Sequence, residues 1–188
     1  MKTILASQSK ARKKLLSIFG IKFNVIPSNI DEKAIRHEDP LTQVKHIAEA
    51  KARAIGEKNP DSIIIGGDTI VFCNKKVLEK PKDKQEAKQM LNQLSGRTFE
   101  VISGVAVYNS KTKTMYSDAD SFEVTFRNLT EEEIKDYSSR YDLTLYAGAF
   151  EDDGFQRFAL TSKGSPSTLV GLPLQKLIIL LRENGINL

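Results

Sequence analysis

The segment from Ile63 to Asp68 constrains the fold of this chain more than any other. Three consecutive isoleucines at positions 63–65 predict a short strand that is buried on both faces. We expect Gly66 and Gly67 to turn the backbone sharply after it, so that Asp68 emerges where the strand ends. Ligands bind at such strand ends in α/β sheets. The alternative is a plain hairpin with a turn at Asp68 and Thr69.

Strand and helix patterns alternate along the rest of the chain. Strands are predicted at residues 3–6, 23–26, 70–72, 77–78, 99–108 and 122–126. Helices are predicted at residues 10–19 and 41–58, after the cap residues Asp83 and Thr130, and after Pro173. Interleaving of this kind predicts an α/β protein with some antiparallel pairing in the middle.

Length and composition limit the classes of protein to consider. The 188 residues predict one domain, residues 1–188. Cys73 is the single cysteine, which excludes an internal disulfide and a cysteine-rich zinc site. No apolar run is long enough to cross a membrane, and we expect a soluble, cytoplasmic protein. The net charge of +4 suits a polyanionic ligand such as a nucleotide, a nucleic acid or a phosphorylated metabolite.

The first strand-to-helix junction carries a candidate phosphate site. Ser7, Ser9, Arg12 and Lys13 lie there together. A helix N-terminus offers amide donors, and hydroxyl and basic side chains add to them. The alternative is that Ser9 only caps the helix and that the basic residues form a solvated face.

Two lysines stand out further along the chain. Lys51 falls on the apolar stripe of its helix, so its side chain either extends past the stripe to water or faces a functional cavity beside Asp68. Lys80 follows Asp68 by twelve residues and precedes Pro81. An acid and a lysine on successive strand ends can together hold a metal ion and a phosphate.

Seven blocks of the sequence, taken in order, resemble the Maf family of nucleoside triphosphate pyrophosphatases, also described as septum formation inhibitors. The blocks are residues 5–12 (Leu-Ala-Ser-x-Ser-x-x-Arg), 27–32 (Pro-Ser-x-x-Asp-Glu), 51–52 (Lys-Ala), 66–71 (Gly-x-Asp-Thr-x-Val), 80–81 with 94–98 (Lys-Pro and Leu-Ser-Gly-Arg-Thr), 147–150 (Ala-Gly-Ala-Phe) and 171–174 (Gly-Leu-Pro-Leu).

The resemblance implies an inosine-triphosphatase-like α/β fold, with a curved mixed sheet, flanking helices and two lobes around a cleft. It implies hydrolysis of a nucleoside triphosphate between the α- and β-phosphates, with Mg or Mn as cofactor, and it implies that a homodimer can form. The residues it assigns are Asp68, Glu32, Lys51 and Lys80 for catalysis, Asp68 and Glu32 as metal ligands, and Ser7, Ser9, Arg12, Lys13, Thr69 and Arg97 for substrate binding.

The chain departs from the family pattern at several positions. Lys10 and Ala11 stand where the family usually has Pro and Arg, and Tyr146 stands where it usually has Lys. Residues 151–154 read Glu-Asp-Asp-Gly, where bacterial members commonly read Gly-Ile-Gln-Gly. These departures lie near the expected base pocket. The Ala-Gly-Ala-Phe block resembles members that take dTTP and UTP more than those that take 7-methyl-GTP.

A second function remains open from the sequence. The chain could be a nucleotide- or nucleic-acid-binding regulator of cell division with little catalysis, which the basic face at residues 10–14 permits. However, no basic run with interleaved aromatic residues is present, and aromatic residues make up only 7% of the chain. The sequence therefore favours the enzyme and carries no strong nucleic-acid signal.

Overall fold

The computed structural model describes residues 1–186. Within that range, seven strands form one mixed sheet with helices around it, as the alternating pattern predicts. The strand order is β2-β1-β3-β5-β6-β7, and β4 pairs with β3. Among these residues, no helix has both the length and the apolar character needed to cross a membrane. The contacts divide the chain into two compact units.

Among the described residues, the first unit comprises 1–68, 103–120 and 167–186. Its elements are β1 (Lys2–Leu5), α1 (Lys10–Ser17), β2 (Asn24–Val25), a 3₁₀ turn (Glu32–Ala34), α2 (Pro40–Gly56), most of α6 (Pro166–Val170), α7 (Leu174–Glu183) and parts of the long strands β3 (Ser62–Cys73), β5 (Thr98–Asn109) and β6 (Thr114–Phe126). Strand β1 lies parallel to both β2 and β3.

Alternation along the strands of the first unit separates two apolar layers. Leu5, Ile63 and Ile65 pack on one side with residues of α1 and α7, including Leu16 and Leu177. The neighbouring strand residues point to the opposite side, where Ile4, Ile64 and Ala106 pack with Ala48, Ala52 and Ile55 of α2. The run of three isoleucines is thus explained, since both faces of this strand are covered.

The second unit comprises residues 69–102 and 121–166. It holds the remaining parts of β3, β5 and β6, together with β4 (Lys76–Leu78), α3 (Lys84–Leu94), α4 (Glu131–Arg140), two 3₁₀ turns (Leu143–Leu145 and Ala147–Ala149), α5 (Asp152–Phe158) and β7 (Ala159–Lys163). Phe126 is the centre of its aromatic core and lies edge-on to Phe99, Phe150 and Phe158, with ring centroids 4.8–5.7 Å apart.

Both predicted helix caps in the second unit are present. Thr130 and Glu133 form a full capping box, in which each side chain accepts a hydrogen bond from the other residue's backbone amide. Asp83 caps α3 by accepting from the amide of Glu86. The Glu86 carboxylate reaches past the cap and accepts from the amide of Lys82 instead.

The predicted turn at Gly66 and Gly67 is wrong. Strand β3 runs without a break from Ser62 to Cys73, and Asp68 lies inside it. Neither glycine has a positive φ. Their role is close packing, because a Cβ atom on Gly66 would lie only 3.1 Å from the carbonyl carbon of Ala48 in α2, with the Ala48 oxygen nearer still. Gly66 therefore allows α2 to pack closely on the strand, and Gly67 leaves room for the side chain of Arg12.

Candidate active site

The parallel pairing of β1 with β3 brings the first strand-to-helix junction beside Asp68. Leu5 lies opposite Ile65, and the amide of Ala6 donates to the carbonyl of Ile65 at 2.8 Å. The residues that follow β1 are therefore adjacent to the middle of β3, and Arg12 lies near Gly67: a Cβ atom there would be 3.2 Å from the Arg12 Nε. Sheet topology thus joins two segments that are about 60 residues apart in the chain.

Lys51 points inward from α2, as the cavity interpretation predicts. Only 6% of the residue is exposed. Its Nζ lies 2.8 Å from Oδ1 of Asp68 and 3.0 Å from Oε2 of Glu32. Asp68 is also 6% exposed, so the ammonium and this carboxylate form a buried ion pair.

Glu32 reaches Lys51 from the 3₁₀ turn. Asp31 caps this turn, and its Oδ1 accepts from the amide of Lys33 at 3.1 Å. The Glu32 side chain is 48% exposed, in contrast to the buried Asp68. One ammonium therefore joins a buried carboxylate to a carboxylate that is open to solvent.

Arg12 is the second cation of this cluster. Its Nε donates to the carbonyl of Gly171 at 2.7 Å, and its Nη1 donates to Oγ of Ser7 at 3.3 Å. Burial lowers the pKa of the Arg12 guanidinium, while the charges of Asp68 and Glu32 raise it. The same two carboxylates that contact Lys51 therefore also act electrostatically on Arg12.

The two serines at the junction have structural partners. Ser9 caps α1, and its Oγ accepts from the amide of Arg12 at 3.2 Å. Ser7 is buried, and its Oγ accepts from the amide of Ser9 at 3.2 Å. Lys13 is exposed. The capping interpretation of Ser9 is confirmed, and phosphate binding at the amides of this turn stays a prediction.

Three predicted site residues belong to the second unit. Thr69 follows Asp68 on β3, Lys80 is exposed just after β4, and Arg97 is exposed just before β5. The amide of Gly148 donates to the carbonyl of Glu79 at 3.2 Å, which fixes the backbone next to Lys80. The Lys51 contacts described above are with Asp68 and Glu32, which both belong to the first unit.

The residues present suit a hard cation that also binds phosphate. Among residues 1–186, no three His, Cys, Asp or Glu side chains are grouped as a metal site. Asp68 and Glu32 supply two carboxylates on one ammonium. Mg²⁺ is commonly held by one or two carboxylates with substrate phosphates and water as the other ligands. A site of this composition fits that pattern, and an all-protein cage is not expected.

One feature of the site was missed from the sequence. It is the carbonyl of Gly171, which accepts from Arg12; the only signal was the Gly-Leu-Pro-Leu block. The departures at Tyr146 and Glu151, which the sequence analysis did point out, lie in the second unit. A hydrogen bond to Glu151 raises the pKa of the Tyr146 hydroxyl to about 12, so both departures from the family pattern form one polar pair.

The chain was compared with protein families and with individual proteins. The model of the Maf-like protein family matches residues 2–184. The "dTTP/UTP pyrophosphatase" of Citrifermentans bemidjiense is 39% identical over 183 residues, which cover 97% of this chain and 95% of that protein. The "7-methyl-GTP pyrophosphatase" of Aliivibrio fischeri is 35% identical over 188 residues, which cover 99% and 97%.

Solved structures give a weaker likeness. A HAM1 protein from Coxiella burnetii is 14% identical, with a TM-score of 0.46, and the alignment covers 67% of this chain and 73% of that one. A likeness at this level carries no inference about function.

Proposed function

Since the chain belongs to the Maf-like protein family, we propose that it is a nucleoside triphosphate pyrophosphatase. The reaction would be attack of water on the α-phosphorus of a nucleoside triphosphate, breaking the bond to the oxygen that bridges the α- and β-phosphates. The products would be a nucleoside monophosphate and pyrophosphate. The curated relatives, which align over nearly their whole length, support this class of reaction through their names.

One observation carries the proposal. Lys51 is buried, and its Nζ lies within 3.0 Å of an oxygen of both Asp68 and Glu32. A buried ion pair is weak evidence for stability, because desolvation of the two charges offsets their attraction. Fixed charges in a buried position are, in contrast, what phosphoryl transfer requires, since its catalysis is mostly positioning and charge stabilisation.

The proposed roles follow from burial and position. Asp68, which is buried, would orient the attacking water and accept its proton. Lys51 would hold the two carboxylates in place and offset negative charge on the α-phosphate. Ser7, Ser9, Arg12 and the first amides of α1 would receive the phosphate chain, because a helix N-terminus leaves amide donors without intrahelical partners.

Asp68 and Glu32 would also hold a divalent cation, Mg or Mn. When bound, this cation would neutralise charge on the phosphate oxygens. Glu32, which is half-exposed, can turn toward an incoming cation while Asp68 stays fixed in its strand. Lys80 remains a candidate for catalysis and Arg97 for substrate binding, and only the motifs that contain them support these roles.

The preferred base is proposed to be a pyrimidine, with dTTP and UTP as substrates. The support is the Ala-Gly-Ala-Phe block at residues 147–150, together with a dTTP/UTP pyrophosphatase among the curated relatives. Tyr146 and Glu151, which differ from the family pattern, are hydrogen-bonded to each other and are expected to modify this preference.

The test is release of pyrophosphate and of orthophosphate, measured separately. The purified protein is incubated with Mg or Mn and a panel of dTTP, UTP, CTP, ITP, 7-methyl-GTP, ATP and GTP. Asp68→Asn removes the buried carboxylate. Asp61→Asn is the matched control, because Asp61 is exposed just before the same strand and its positive φ of 50° is tolerated by Asn.

We expect pyrophosphate from a subset of the panel, loss of that activity in Asp68→Asn, and retention in Asp61→Asn. Orthophosphate as the sole product would contradict the assignment of the cleaved bond. No release from any substrate, together with salt-dependent binding to DNA or RNA, would favour the regulator instead. Nothing in the comparisons points to that alternative.

A further inference from the structure

In the first unit, two strand glycines lie so near α2 that a Cβ atom on either of them would meet helix backbone. Helix α2 crosses β3 at Gly66 and β5 at Gly104. A Cβ atom on Gly104 would lie 2.5 Å from the carbonyl carbon of Val44 and 2.9 Å from the amide nitrogen of Lys45, both in α2. Ordinary van der Waals contact begins at 3.4 Å, so the helix lies about 1 Å closer than any side chain at this position would allow.

Both glycines meet backbone atoms, which cannot rotate out of the way as a side chain can. Gly66 meets Ala48, and Gly104 meets Val44, one helical turn earlier. Ala48 and Ala52, on the same helix face, are fully buried against the strands. The distance of α2 from the sheet is therefore set by the two glycines on the strands and by the two alanines on the helix.

That distance determines whether Lys51 reaches Asp68. Lys51 follows Ala48 by three residues on α2, and Asp68 follows Gly66 by two on β3. The Nζ–Oδ1 distance of 2.8 Å is a full hydrogen bond. With the Lys51 side chain in the same conformation, raising the helix by about 1 Å would lengthen this contact beyond hydrogen-bonding range.

We propose that Gly104 is a positioning residue for the proposed pyrophosphatase reaction: it sets the distance of α2 from the sheet and thereby the contact of Lys51 with Asp68. The expected effect of Gly104 on catalysis rests on the proposed function. Its expected effect on the contact between Lys51 and Asp68 rests on geometry alone. The proposed function assigns Gly104 no contact with the substrate.

The test compares Gly104→Ala with Gly56→Ala. Gly56 is the last residue of the same helix, and a Cβ atom there would also lie 2.5 Å from a neighbour. That neighbour, Cε1 of Tyr108, belongs to a side chain that can shift. Gly56 itself lies five residues from Lys51 along the helix. Both variants are expected to lower stability, so the control separates general destabilisation from displacement at Lys51.

Two measurements are made on each variant. The first is a double-mutant cycle of Lys51→Met and Asp68→Asn, in which urea unfolding gives the free energy of unfolding of each protein. The cycle measures the coupling between the two side chains independently of activity. The second is steady-state release of pyrophosphate. We expect Gly104→Ala to abolish the coupling and to lower kcat about 100-fold with little change in KM, the scale of a 1 Å misplacement. Gly56→Ala should retain both coupling and kcat.

The outcomes separate this inference from the proposed function. Coupling retained in Gly104→Ala overturns the inference, whatever happens to activity. Coupling lost with kcat unchanged supports the positioning by Gly104 and refutes the catalytic role of the pair. If Gly104→Ala does not fold, Ala48→Ser replaces it, because a single added oxygen at this buried position overpacks the same interface more mildly. Because Ala48→Ser is the milder change, a coupling that is partly reduced supports the inference, and a coupling equal to that of the wild type overturns it.

Discussion

Replacing Lys51 by methionine tests the buried ion pair directly. Methionine retains an unbranched side chain of similar length, so packing of α2 on the sheet is largely preserved. The ammonium is lost, and the Asp68 carboxylate, which is only 6% exposed, loses its partner at 2.8 Å. The predicted effect is therefore that of a buried charge without its counter-ion.

The magnitude follows from the burial of each partner. Removing one member of a buried ion pair destabilises a protein by about 3–5 kcal/mol. Glu32 contributes little, because its side chain is 48% exposed and pairs of that kind contribute about 0–1 kcal/mol. Arg12 supplies a second positive charge near Asp68, which places the expected loss at the lower end, about 3 kcal/mol. For a chain of this size, that loss lowers Tm by about 6–12 °C.

Urea unfolding of three proteins provides the assay: wild type, Lys51→Met, and Lys51→Met combined with Asp68→Asn. The double variant removes the uncompensated charge, so it is expected to recover most of the stability lost in Lys51→Met. Circular dichroism and the urea m-value check that all three unfold from the same folded state.

The reasoning is refuted if Lys51→Met loses less than about 1 kcal/mol, the range of a surface pair. It is also refuted if the double variant is no more stable than Lys51→Met. In either case the pair would not behave as a desolvated one, and the electrostatic argument for the site would fail.

Three further predictions concern the second unit. Thr130→Ala removes the cap of α4 and should lower the free energy of unfolding by about 1 kcal/mol in urea, while a change below about 0.3 kcal/mol would show that Glu133 alone maintains the helix start. Arg127 holds the pKa of Glu133 near 2, below its usual 4.5; this stabilisation is therefore complete above about pH 4.5 and is lost as the pH falls toward 2. An NMR titration should show that pKa rising toward its usual value in Arg127→Ala, and an unchanged value would contradict the assignment. Gly148→Ala places a Cβ atom 2.7 Å from Val71 at a φ of 67° and should destabilise by about 1–3 kcal/mol, which thermal unfolding would detect; an unchanged Tm would count against strain there.

Helix caps and strand alternation predicted local structure correctly, whereas the glycine pair did not. The cap residues Asp83 and Thr130 mark the starts of α3 and α4, and alternation at 122, 124 and 126 marks the buried face of β6. These signals succeed because a cap or an alternating pattern depends on residues three or four positions apart at most. Lys51 on an apolar stripe left two interpretations open from the sequence, and its burial beside Asp68 decides between them.

The segment from residue 152 to residue 170 shows where such signals end. Helix α5, strand β7 and helix α6 are present there, although no pattern in the sequence predicted them. The helices are 7 and 5 residues long, too short for a helical period to be recognised. Strand β7 is held by pairing with β6, with Val124 opposite Ser162, a contact between residues far apart in the chain.

By itself, the sequence determined the α/β class, the starts of the longer helices and the family, and it named the candidate residues. Only the tertiary structure decided what Gly66 and Gly67 do and which carboxylates Lys51 contacts. A glycine has the same local freedom whether it makes a turn or admits a neighbouring backbone, and the difference lies in α2 packing above it. In the same way, the contact of Lys51 with Asp68 across 17 residues depends on the distance from helix to sheet, which no local pattern encodes.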